Sequence, residues 1–103
     1  MRLEHYPVDK LKQEILEIAG RHLDLKNFRL FFFGSRVNGK GDARSDIDIG
    51  IEGKSEIAIE DMGKIKEELE KLPTLYKIEI VDFNKVPPNF RKVALKAVEP
   101  IKE

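Results

Sequence analysis

The stretch Gly34–Asp48, GSRVNGKGDARSDID, opens just after one apolar run, FRLFFF at 28–33, and ends by entering another, IDIGIE at 47–52. One short connection thus carries a Gly-Ser pair, the basic residues Arg36, Lys40 and Arg44 against a single Asp42, and two aspartates, Asp46 and Asp48. Residues 46–52 alternate, with Ile47, Ile49 and Ile51 on one side and Asp46, Asp48 and Gly50 on the other. That is the period of a strand, so both carboxylates leave the same face. At the usual rise their Cα atoms stand about 6.6 Å apart. The isoleucines between them face a core and anchor the strand.

Working outward, Val8, Leu11, Ile15, Ile18 and Ala19 follow Pro7 at the spacing of an amphipathic helix. Residues 28–33 are aromatic and aliphatic and predict a buried strand ended by Gly34. Ile59, Met62, Ile65, Leu69 and Leu72 predict a second helix closed by Pro73. YKIEIVDF, at 76–83, predicts a third strand. Phe90, Ala94, Ala97, Val98 and Ile101 predict a last helix that frays near Pro100. The expected order is α-β-loop-β-α-β-α. The expected fold class is α/β of the α+β kind: a small mixed sheet with helices on one face and the other face partly open. At 103 residues, one domain spanning 1–103 is expected.

Composition narrows the function. Cysteine is absent, so no disulfide framework is possible and a reducing cytoplasm is the expected compartment. No apolar run approaches the length of a membrane span, and the first ten residues carry no signal-peptide core. The net charge is zero, which argues against a broad electrostatic footprint for duplex nucleic acid.

The central loop has two competing readings that fail. Gly34 to Lys40 matches G-x-x-x-x-G-K, but Gly41 follows where a Ser or Thr would hold magnesium, and two glycines make a poor helix start. DIDIGIE superficially resembles a calcium loop, yet its β-branched residues favour extension where such a loop turns sharply. Metal-dependent phosphoryl chemistry fits the whole stretch. Two same-face carboxylates can converge on Mg²⁺, and paired ions can clamp the attacking and leaving oxygens at phosphorus. Gly34 permits a tight turn with backbone close to a ligand, and the Ser35 hydroxyl and nearby amides can bond phosphate oxygens.

Gly34-Ser35, ten residues, then Asp46-x-Asp48 resembles the G-S-x10-D-x-D signature of the DNA polymerase β-like nucleotidyltransferase superfamily. The short chain, GSR and ARSDIDI are most similar to the minimal nucleotidyltransferases (MNT), of the MntA antitoxin type. The resemblance implies a polymerase β-like palm fold and a nucleotide site at Gly34, Ser35 and Arg36. It implies Mg²⁺ held by Asp46, Asp48 and a third acid on a neighbouring strand. The third strand offers Glu79 and Asp82. Ile78 and Ile80 should pack towards the helices, which turns Glu79 to the open side, whereas Asp82 shares the isoleucines' parity and is expected to start the turn into Asn84. Glu79 is the expected third acid, with Asp82 the alternative. Glu is a departure from the family's usual Asp.

The resemblance also implies a partner. At 103 residues the chain is expected to lack the added acceptor-holding domain of larger relatives. MNT proteins commonly pair with a small helical HEPT toxin and neutralise it by moving AMP from ATP onto a toxin tyrosine. Nucleic acid is then expected only as the toxin's target or as an operator, and no membrane is expected. The alternative is a non-catalytic module that neutralises its partner by contact. His5 and His22 lack metal-ligand spacing, and Tyr6, Tyr76 and the Phe31–Phe33 run are expected to be packing residues.

Overall fold

The computed structural model describes residues 1–39 and 46–102; Lys40, Asp42 and Arg44 of the central loop lie outside the described residues. Helix α1 spans Val8–Gly20 and buries Leu11, Ile15, Ile18 and Ala19. Helix α3 spans Ile59–Glu70 and buries Met62, Ile65 and Leu69; Glu60 and Asp61 sit in its first turn, where the helix dipole favours carboxylates. Between them lie strand β1 (Phe28–Phe33), a single turn α2 (Ser35–Asn38) and strand β2 (Ile47–Gly53). Strand β3 (Ile78–Asp82), helix α4 (Pro88–Ala94) and strand β4 (Glu99–Lys102) complete the chain.

The four strands form one sheet in the order β3-β2-β1-β4. β1 runs antiparallel to β2 and β4, while β2 and β3 are parallel, so the sheet is mixed as expected. A parallel pair needs a crossover, and α3 supplies it. Strand parity divides the side chains cleanly. Leu30, Phe32, Ile47, Ile49, Ile51 and Ile80 point to one face, where they join the buried stripes of α1 and α3 in the main core. Phe31, Phe33 and Phe83 form a second, smaller cluster, against which Val81, Ala94, Leu95 and Val98 pack. Its rings meet edge to face, Phe31 to Phe83 at 4.9 Å and Phe33 to Phe83 at 5.0 Å. Gly50 makes room for this: a Cβ there would stand 2.3 Å from the Phe31 ring.

The C-terminal region differs from expectation. The predicted helix through Ile101 stops at Ala94, and residues 99–102 form β4 on the outer edge of β1. Pro100 cannot donate the N–H a helix needs, but an edge strand tolerates it. β1 would otherwise expose a row of unpaired backbone groups, so pairing wins over weak helical periodicity. Lys102 adds a bond from its Nζ to the Phe28 carbonyl at 3.1 Å. Among the described residues, no helix is long and apolar enough to cross a membrane.

Candidate active site

The site is built where β1 hands over to α2. β1 ends at Phe33, and Gly34 turns the chain with φ of +85°, a conformation that side chains rarely tolerate. A Cβ on Gly34 would also lie 2.4 Å from Asp48 Oδ2. Glycine is therefore required twice, once for its backbone angle and once because the first residue of the Gly-Ser pair rests against the second aspartate. Ser35 opens α2, whose turn is closed by Val37 N and Asn38 N donating to the Gly34 carbonyl at 3.1 Å each, and Gly39 ends it in the left-handed region.

The acids come together through register. In the antiparallel ladder Asp48 lies opposite Phe33; in the parallel ladder it lies opposite Glu79. Asp48 is half-buried. Burial, followed by the charges of Glu79 and Asp46, pushes its carboxyl above the usual range. These three carboxylates thus feel one another, and the negative charge they gather is what a divalent cation would relieve. A fourth charge interrupts them: Lys77 Nζ stands 3.1 Å from Glu79 Oε1. Bonding to Glu79, with Asp46 adding to the attraction, holds the Lys77 ammonium above its ordinary value. Among the described residues, no three Asp, Glu, His or Cys side chains converge closely enough to hold a metal as they stand. The oxygen donors fit Mg²⁺ in type and share one face, and Glu79 would have to leave Lys77 to complete a coordination sphere.

Asp82 has a different task. It is 7 % exposed on the helix side of the sheet. Its Oδ2 accepts from Ile57 N at 2.8 Å and its Oδ1 from Asn84 N at 2.9 Å. It starts the turn into Asn84, as the parity argument expects, and its acceptors are occupied by backbone. Arg36 lays its guanidinium 4.7 Å over the Tyr76 ring, and the Tyr76 hydroxyl accepts from Glu4 N and His5 N. Tyr76 and the buried Tyr6 are therefore packing residues, and His22, just past the end of α1, pairs with Glu68 of α3.

A cavity of about 570 Å³ opens beside Asp48. Phe33, Gly34, Asn38 and Asp48 form one side, and Phe90 and Val93 of α4 with Lys96 form the other. Phe90 is 44 % exposed and Val93 66 %, unusual for residues of their size. A second concavity of about 510 Å³ lies between α3 and β3, lined by Ile59, Met62, Val81 and Val86. It also holds Lys66, Lys85 and Asp82, whose oxygens are already bonded to backbone amides, so it offers no second acid beside Asp82 to gather a cation.

Two features escape a reading of the sequence alone. Lys77 shares Glu79's parity, which is a usable signal, but it is one lysine among many. The α4 wall is hidden because the residues from Phe90 to Ile101 read as one helix.

No curated protein matches the chain by sequence. Solved structures share its fold, three of them as follows. One is a toxin–antitoxin crystal structure with AMP-PNP, 16% identical, with a TM-score of 0.70 over 87% of this chain and 71% of that one. Another is a tri-AMPylated Shewanella oneidensis HEPN toxin in complex with MNT antitoxin, 15% identical, with a TM-score of 0.61 over 91% of this chain and 71% of that one. The third is a proposed minimal nucleotidyltransferase, 23% identical, with a TM-score of 0.68 over 94% of this chain and 98% of that one. The polymerase beta nucleotidyltransferase family model matches residues 13–103, which takes in both the Gly-Ser turn and the aspartate strand, and the chain belongs to that family.

Proposed function

We propose that this chain transfers AMP from ATP to a tyrosine hydroxyl of a partner protein, with Mg²⁺, and acts as the antitoxin of a HEPT/MNT-type pair. The observation that carries the reading is Asp48, seated against the Gly34 backbone and in register with Glu79 beside an open cavity. Its substrate and partner are supported by relatives whose structures hold AMP-PNP with a toxin–antitoxin, or a tri-AMPylated toxin with its antitoxin.

Asp46, Asp48 and Glu79 would hold the metal, which when bound neutralises charge on the phosphates. The Gly34 turn and the Ser35 hydroxyl would bond phosphate oxygens, with Arg36 completing the nucleotide site. Phe33, Phe90 and Val93 offer apolar surface to the nucleoside. The acceptor oxygen attacks the α-phosphorus, a new O–P bond forms, the α–β anhydride bond breaks and pyrophosphate leaves. The hydroxyl proton passes to a carboxylate of the cluster and on to solvent. Positioning and electrostatic complementarity supply most of the acceleration. An ATP-dependent reaction and a chain without cysteine both suit the cytoplasm.

One observation favours a second reading, in which the chain neutralises its partner by contact alone: Glu79 is tied to Lys77, and no three acids converge as they stand among the described residues. Incubation with ATP, Mg²⁺ and the protein encoded beside this one separates the two. Intact-mass measurement should show the partner heavier by whole AMP units, and the Asp46→Asn/Asp48→Asn variant should abolish the gain. Transfer surviving in that variant overturns the enzyme reading, and a tight complex with no mass gain supports the contact module.

A further inference from the structure

Resting on that reading of the acid cluster, we infer that Lys77 is a fourth working member of the site: it holds Glu79 while no divalent cation is bound and moves onto the nucleotide's phosphates once a cation takes Glu79. The geometry is a two-by-two grid. Ile47 lies opposite Ile78 and Asp48 opposite Glu79, so the same parallel register sets Asp46 opposite Lys77. Lys77 and Glu79 are two apart on one strand, and all four side chains therefore leave the same face. The Ile47 amide donates to the Lys77 carbonyl at 2.8 Å, which fixes the root of the lysine at the level of the aspartate strand.

Only the far end of Lys77 is free to move. Its ammonium bonds Glu79 Oε1 at 3.1 Å, with side chains 69 % and 47 % exposed. An exposed pair of this kind is weak and exchanges readily. Glu79 cannot give both oxygens to a cation while it holds the ammonium, and a divalent ion beside a fixed positive charge is disfavoured. Displacement relieves both conflicts. The released ammonium sits on a flexible four-carbon stem with three donors, suited to phosphate oxygens as a point charge. The longer reach of Glu, where the family resemblance leads one to expect Asp, lets the carboxylate meet either partner.

The test uses Mn²⁺ as probe, its free concentration followed by electron paramagnetic resonance, with the full chain and no nucleotide. Lys77→Met keeps the stem and removes the charge. It should bind Mn²⁺ about three- to tenfold tighter than the native chain. With Mn²⁺ saturating, the same variant should bind a non-hydrolysable ATP analogue about three- to tenfold more weakly, and Lys77→Arg should restore that affinity. The opposite signs are the signature, since a merely structural lysine would move both affinities the same way or neither. Unchanged or weaker Mn²⁺ binding in Lys77→Met overturns the inference, as does unchanged nucleotide binding. Asp48→Asn separates the two failures. If the native affinity for Mn²⁺ does not depend on Asp48, the acid-cluster reading itself falls; if it does and Lys77→Met changes nothing, only the role of Lys77 falls.

Discussion

The two faces of this sheet are made from the same strands and do opposite things. On one face Ile47, Ile49 and Ile51 are fully buried beneath α1 and α3. On the other, Asp46 and Asp48 alternate with them and remain half-exposed beside Glu79 and Lys77. The first face is dry and close-packed, and any lost methyl group there leaves a void. The second carries the small Phe31, Phe33 and Phe83 cluster and, beside it, acids that repel one another with Lys77 paired to one of them, on a strand kept in place by the first. Buried apolar anchors and part-exposed acids are thus interleaved residue by residue at the head of β2. Their separation by parity means that each can be altered without the other.

The largest predicted effect tests that separation directly. Asp48→Asn should lower AMP transfer by about 10²- to 10³-fold, the scale of removing one electrostatic stabiliser. It should leave thermal stability unchanged or raise it, because Asp48 is held against burial and two like charges. A lower melting temperature in that variant would show that Asp48 holds the fold together as well as carrying charge. Ile49→Ala, one residue along and facing the other way, should do the reverse. It should cost about 2–5 kcal/mol in denaturant unfolding while activity per folded molecule persists.

Gly34→Ala crosses the boundary between the faces. The added Cβ meets both an unfavourable backbone angle and the Asp48 carboxylate. Transfer should fall more than tenfold and stability by about 1–3 kcal/mol, measured by single-turnover kinetics and urea melts together. Asp82→Ala sharpens the assignment of acids. It strands two backbone donors, the buried Ile57 N and the part-buried Asn84 N, so it should cost about 1–3 kcal/mol without a specific loss of activity. Glu79→Gln should show the opposite pattern; activity retained there but lost in Asp82→Asn would invert the assignment.

The smallest effect is in pH. The folded-state pKa of Asp48 is raised, so between the ordinary aspartate value of 3.8 and the folded value the native state binds more protons than the unfolded one. Stability attributable to Asp48 therefore falls as pH rises through that window. In metal-free buffer, the stability difference between Asp48→Asn and the native chain should widen in the variant's favour as pH rises through it. A constant difference would show that Asp48 feels no such repulsion.

Much of this was legible in particular residues. The isoleucine alternation of β2, the buried stripes of α1 and α3 and the glycine at 34 are local signals, because each follows from side-chain period or backbone freedom within a few residues. Parity alone also set Glu79 on the aspartates' side of the sheet and Asp82 on the isoleucines' side. β4 was not legible: Glu99-Pro100-Ile101-Lys102 has no strand pattern of its own and becomes a strand only because β1 offers an open edge. Nor was the α4 wall of the cavity, which depends on where that helix stops.

What the amino-acid order determined by itself was therefore which side chains share a face and where the chain must turn. Those are properties of one segment's geometry. Only the tertiary structure decided which faces meet: Asp48 against Gly34, Glu79 beside Asp48, Lys77 at the remaining corner, and α4 across from Phe33. The reason is physical. Register between distant strands is set by burying all the apolar stripes at once, and no single stripe carries that information.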